Sequence, residues 1–143
     1  VDFGCAEILG ESSFITDSSS SLSSQSSAIK KVRRMGGNTP AYSPPEAQVR
    51  TTDPILPSMD MWSLGIILYI MLTGLHPFDL TGQATDEEIE HKLRTCDPPP
   101  LRNSPITAHL SESSIDLIER LMDWKPTDRI TAWQMLQHPW IKG

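Results

Sequence analysis

The sequence predicts a mainly α fold after residue 58, preceded by a long stretch of loop. Three observations predict it. Met59 to Gly74 (M-D-M-W-S-L-G-I-I-L-Y-I-M-L-T-G) is apolar almost all round. Two capping boxes, T-D-E-E at Thr85–Glu88 and T-A-W-Q at Thr131–Gln134, mark helix starts further on. No segment shows the period-two alternation of a strand.

The elements follow in order. In the apolar segment Asp60 reads as an N-cap and Gly74 as the stop. A helix without a polar face belongs in the middle of a core. Thr85 opens a short helix to about Arg94, with Asp86, Glu87 and Glu88 favourably placed at its start, and Asp97-Pro98-Pro99-Pro100 ends it. Ser111 caps a helix to about Trp124, whose Ile115, Ile118, Leu121 and Met122 share one face. Thr131 opens a final helix that ends near His138-Pro139.

Before residue 58 the composition differs. Ten of the eighteen residues from Glu11 to Ala28 are serine, too little apolar surface to offset the entropy of ordering, so the segment reads as a mobile loop. Lys30, Lys31, Arg33 and Arg34 follow; they read as a solvated loop or, more sharply, as a phosphate-pairing patch. Gly36-Gly37 and the prolines of T-P-A-Y-S-P-P-E argue against helix through residue 46.

The bulk numbers bound the function. The 143 residues suit one domain or a large piece of one. A net charge of -6 argues against a nucleic-acid partner. Cys5 and Cys96 are too distant and too few for a disulfide scaffold, and fit a reducing compartment. His76, His91, His109 and His138 lack ligand spacing, which argues against zinc. No signal peptide is visible, and the apolar run from Met61 to Leu72 is shorter than the roughly 20 residues a membrane span needs. The expected location is intracellular, in the cytoplasm, with the nucleus left open, and no membrane partner is expected.

D-F-G at Asp2–Gly4, T-P-A-Y-S-P-P-E at Thr39–Glu46, D-M-W-S-L-G at Asp60–Gly65, D-R-I-T at Asp128–Thr131 and H-P-W-I at His138–Ile141 occur in that order. Together they resemble the C-terminal lobe of a eukaryotic protein kinase, across essentially the whole chain outside the serine-rich loop. The resemblance implies an α+β kinase-like domain, of which this chain is the part from D-F-G onward. Residues 1-46 would be the D-F-G motif and a long, mobile activation segment, with the serine-rich insertion at 11-28. Residues 47-143 would be the helical lobe.

The resemblance also implies roles. Asp2 would be a Mg²⁺ ligand, serving ATP phosphates that need a divalent ion and an anionic oxygen to hold it. Phe3 would pack in the hinge of the motif, and Gly4 would let the backbone turn. Thr39 and Tyr42, spaced T-x-x-Y, resemble the substrate-binding loop of Ser/Thr-specific kinases, in which the Thr hydroxyl reaches the catalytic Asp and the acceptor side chain. Asn38 stands where the family usually has Gly, and Ser43-Pro44 replaces a residue plus Ala. Glu46 would pair with Arg129 and tie the loop to the helical core. Asp60 would hold the catalytic-loop backbone, with Trp62 and Gly65 as structural residues of the same motif.

The segments Y-I-M-L-T-G-L-H-P-F and L-Q-H-P-W-I-K-G resemble the calcium/calmodulin-dependent kinase group. Ile70 stands where many basophilic kinases of another group carry Glu. Asp86, Glu87, Glu88 and Glu90 read as a solvated helix face, or as a preference for basic substrates. Met35 occupies the place of the usual activating phosphosite. Control would then pass to Ser18, Ser19, Ser20, Ser21, Ser23, Ser24, Ser26 and Ser27, phosphates on which would pair with the basic cluster; an unregulated insertion is the alternative.

A working kinase also needs a Gly-rich loop, a strand Lys paired with a helix Glu, and H-R-D-x-x-x-x-N. None occurs in this chain, so the expected partners are the missing N-lobe and catalytic loop and a protein substrate with Ser or Thr. The expected function is ATP-dependent phosphorylation by the parent enzyme, a transferase, with this chain inactive alone. The alternative is a pseudokinase or scaffold module that binds without catalysis.

Overall fold

The computed structural model describes residues 40–49, 56–95 and 99–143. Asp2, Phe3, Gly4, the serine-rich insertion, the basic cluster and Thr39 lie outside these residues. Among the described residues the chain forms a 3-10 turn at Pro40–Tyr42 and six helices, with no strand. The helices are α1 (Pro45–Val49), α2 (Pro57–Thr73), α3 (Asp86–Thr95), α4 (Glu112–Leu121), α5 (Ala132–Leu136) and α6 (Pro139–Lys142).

The turn and α1 correct the expectation of no helix in the proline-rich stretch. Pro45 occupies the first helical position, where its missing N–H would have no intrahelical partner anyway and its fixed φ suits the helix. The same device corrects the start of α2. Its N-cap is Leu56, with Pro57 opening the helix, so Asp60 lies inside the first turn and is no cap. Gly74 ends α2 as expected: at φ 77° its N–H donates to Ile70 O at 2.8 Å.

The capping boxes form at both sites. At α3, Glu88 N–H donates to Thr85 Oγ1 (3.3 Å) and Thr85 N–H to Glu88 Oε2 (2.9 Å). At α5, Thr131 and Gln134 exchange the equivalent bonds at 3.2 and 2.9 Å. Ser111 Oγ accepts from Ser114 N–H at 3.2 Å and starts α4, which stops at Leu121 rather than running to Trp124. Among the described residues α6 is, like α1, a helix that was not expected. His138, expected to mark the end, caps α6 by accepting the Trp140 N–H on Nδ1 at 3.2 Å. Its Nε2 then donates to Asp116 Oδ2 at 2.8 Å, tying α6 to α4. This bond, with that of Arg120, holds the Asp116 carboxyl below the usual range.

The core forms where α2 crosses α4. Trp62, Ile66 and Tyr69 of α2 are buried with Ile115, Ile118 and Met122, and Phe78, Ile89 and Leu93 close the same cluster. Met61, Leu117, Leu121 and Ile130 form a second cluster beside it. The all-apolar character of α2 is only partly matched by burial. Ile67 and Met71, one turn apart, are 44% and 76% exposed among the described residues. Helix α2 is therefore central to the core on one side and open on the other.

Gly65 sets the closeness of the α2–α4 crossing. A Cβ there would stand 2.8 Å from Met122 Cγ and 2.9 Å from Leu121 Cβ. The Met end can move, but the Leu Cβ is fixed to the helix. Gly65→Ala is therefore expected to lower the thermal midpoint, with about 1–3 kcal/mol of overpacking outweighing alanine's helix propensity. Calorimetry of the variant checks this; an unchanged or raised midpoint would mean the crossing has slack.

Candidate functional site: a loop anchored at both ends

Residues 40–49 lie against the helical core and are anchored at two points. The first is Glu46, on the first turn of α1. Its carboxylate meets Arg129 end on as a bidentate pair, with Nη1–Oε1 at 2.7 Å and Nη2–Oε2 at 3.1 Å. The Arg129 side chain is 0% exposed and that of Glu46 15%. Taking a guanidinium out of water is costly unless its donors are used. Here all are used: Nη1 also donates to Ser58 O at 2.7 Å, while Nε and Nη2 donate to Asp123 O at 3.0 and 2.9 Å. The guanidinium carbon lies 5.2 Å from the centroid of the Trp62 ring, within cation–π range.

The second anchor lies at the other end, at Ala41 and Tyr42. Ser63 Oγ of α2 donates to Tyr42 O at 2.9 Å. His76, in the turn after α2, has Nε2 2.9 Å from Ala41 O. Its Nδ1 accepts the Phe78 N–H at 3.2 Å, which leaves the ring proton on Nε2, donated to Ala41. The Tyr42 ring packs edge-on to His76, 5.9 Å between centroids at 85°.

The two anchors meet in the core. Phe78 stacks on Trp62 at 6.2 Å and 18°, and Trp62 lies beneath Arg129. Lys92 of α3 donates to Phe78 O at 2.9 Å, holding the His76–Phe78 turn from outside. Asp79 closes that turn by accepting from Thr81 Oγ1 (3.1 Å) and Gln83 N–H (3.2 Å). Burial pushes the Asp79 carboxyl up, but hydrogen bonds from Ala84, Thr81, Gln83 and Gly82 outweigh it and hold it below the usual range.

Of the residues singled out in the sequence, the structure brings Glu46, Arg129 and Trp62 together and places Tyr42 at the opposite anchor. Gly65 lies apart, at the helix crossing. Asp60 is exposed on α2. His76, Ser63 and Lys92 were not singled out for a contact with this segment. Nothing local announces that His76 reaches a carbonyl 35 residues earlier, although it lies in the quoted H-P-F stretch.

The protein kinase domain profile matches residues 1–141. The chain is 44% identical over 105 residues to the serine/threonine-protein kinase PKZ1 of Phytophthora infestans, covering 73% of this chain and 25% of that protein. It is 33% identical over 141 residues to human serine/threonine-protein kinase D2, covering 99% of this chain and 13% of that one. Among solved structures, the twitchin kinase region of C. elegans matches with a TM-score of 0.60 and 33% identity, over 71% of this chain and 17% of that one. The chain belongs to the protein kinase family. Its described helices form the C-terminal, mainly α lobe of a kinase-like domain, and it spans a quarter or less of the length of these relatives.

If the Glu46–Arg129 pair anchors the loop, Glu46→Gln lowers the thermal midpoint and Glu46→Ala lowers it further. The alanine variant leaves a buried guanidinium without its counter-charge, a loss of about 3–5 kcal/mol. Thermal and urea unfolding of the three proteins check this; equal midpoints would remove the anchor.

Proposed function

We propose that this chain is the C-terminal lobe of an ATP- and Mg²⁺-dependent protein serine/threonine kinase, most like the calcium/calmodulin-dependent group. Residues 1-46 carry the D-F-G motif and activation segment, and 47-143 the helical lobe. The observation that carries the reading is the doubly anchored segment at 40–49. It follows Thr39 directly and lies against the lobe through a buried Arg129–Glu46 pair. Such a segment is suited to presenting a peptide in fixed register, and phosphoryl transfer depends on positioning above all. The Ser/Thr kinase relatives support the class of acceptor.

In this reading Asp2 holds the metal. Its carboxylate is a hard oxygen donor and suits Mg²⁺ by its chemistry. The bound ion neutralises and orients the ATP phosphates. Thr39 bonds the acceptor hydroxyl and the base, and Tyr42 and Glu46 fix the loop that carries it. Phe3 and Gly4 shape the backbone around Asp2. The acceptor oxygen bonds to the γ-phosphorus, the bond to the bridging oxygen breaks, and ADP leaves. The acceptor proton passes to a base outside this chain. Phosphorylation of serines between Ser18 and Ser27, paired with Lys30, Lys31, Arg33 or Arg34, is the proposed control. Activity therefore belongs to the longer polypeptide, in keeping with the 13–25% of each relative's length that the chain covers.

The test is Asp2→Asn in the full-length protein, assayed with ATP, Mg²⁺ and peptides bearing Ser, Thr or Tyr. The expected result is phosphorylation of Ser and Thr peptides by the unmodified protein. The variant should lose that activity by more than about a hundredfold while keeping its thermal midpoint. A folded wild-type protein that transfers no phosphate would favour the pseudokinase reading, in which Asp2 is a relic.

A further inference from the structure

We propose that neutral His76 is a positioning residue that fixes the Ala41–Tyr42 backbone, and through it the fit of the peptide substrate. This rests on the kinase reading above for its link to substrate. Its structural half stands on the described residues alone.

The geometry singles out His76. Both ring nitrogens are engaged, and each bond needs a different state of the nitrogen. Nε2 must carry a proton to donate to Ala41 O (2.9 Å), and Nδ1 must be bare to accept the Phe78 N–H (3.2 Å). Only the neutral Nε2–H tautomer satisfies both. A second proton would turn Nδ1 into a donor facing the Phe78 N–H, and the pair would separate. Phe78 is seated on Trp62, and Lys92 holds its carbonyl, so the core side of the contact is rigid. Movement would fall on the other side, in the 40–42 turn and the Tyr42 ring packed on the imidazole.

The surroundings keep the ring neutral. Burial lowers its pKa first of all. The bond to Ala41 and the charge of Asp79 in the same turn act the other way, while Lys92 from α3 adds to the lowering. Among the described residues the Tyr42 phenol side chain also packs on the ring. The folded value therefore lies below the ordinary 6.5. The sign follows: the unfolded chain takes up the proton first, so the stability that the tie contributes is full above about pH 6.5 and is lost as pH falls through the lower folded value, which is where the ring in the folded protein itself takes up a proton. Ser63 holds Tyr42 O independently, so losing His76 should loosen this end of the segment without unfolding the lobe.

The test compares wild type, His76→Ala and His76→Gln in the full-length kinase. Gln keeps a donor at the Nε2 position but has no group that takes the second proton. Two readouts are taken: amide hydrogen exchange across residues 40–49, and KM for a peptide beside KM for ATP. His76→Ala should speed exchange in that segment and raise peptide KM about three- to tenfold, the effect of one lost hydrogen bond, with ATP KM unchanged. His76→Gln should restore most of both. Wild type assayed as pH falls through the lowered folded pKa of His76 should move toward the Ala variant, and the Gln variant should not. Unchanged exchange in His76→Ala would overturn the positioning role, whatever the activity. So would equal changes in both KM values, the mark of a disturbance that is not confined to the fit of the peptide. A wild type without transferase activity would instead overturn the kinase reading, and with it the effect on peptide fit.

Discussion

A guanidinium with no exposed side-chain surface is the constraint on which the rest of this structure depends. Arg129 is stable in the core only because each of its donors meets an oxygen, and two of those oxygens belong to Glu46, 83 residues away in sequence. The same requirement draws in the carbonyls of Ser58 and Asp123. One side chain thus joins α1, the start of α2 and the turn after α4. Trp62, packed against the charge and stacked on Phe78, carries that junction into the main core. A lysine could not substitute: its ammonium has three donors and no planar fork to meet a carboxylate end on.

The consequence is a short segment held at both ends against a rigid body. Glu46 secures one end, and His76 with Ser63 secures the other. Both anchors lean on the same aromatic pair, Trp62 and Phe78. The close crossing of α2 and α4, allowed by Gly65, keeps that pair in place. An arrangement of this kind suits a surface that must present a peptide in one register. Positioning needs a stiff base more than it needs many contacts.

Much of the helical lobe was legible in the sequence because its signals are local. A Thr followed three residues later by Glu or Gln states a helix start in four letters, and both such boxes form as read. Gly74 states a stop in one. The failures have a common cause in proline. The sequence reads Pro45 as a breaker, yet it opens a helix, and it reads Asp60 as the cap of a helix that has already begun at Pro57. The site was less legible. The Glu46–Arg129 pairing was expected from family resemblance alone, since nothing in spacing or composition links residues so far apart. The His76 contact with Ala41 carries no sequence signal at all: a histidine between Leu75 and Pro77 looks like any other. The residues proposed for the chemistry, Asp2 and Thr39, lie outside the described residues, so their roles rest on the motif order.

The most direct measurement is a double-mutant cycle between Glu46 and Arg129, using Glu46→Gln and Arg129→Met, followed by urea unfolding of the protein. The account predicts a coupling energy of at least about 1.5 kcal/mol, as for close and desolvated charge pairs. A coupling near zero, with the two single losses simply adding, would mean the pair does not hold the segment to the lobe, and the anchored-loop account would fail.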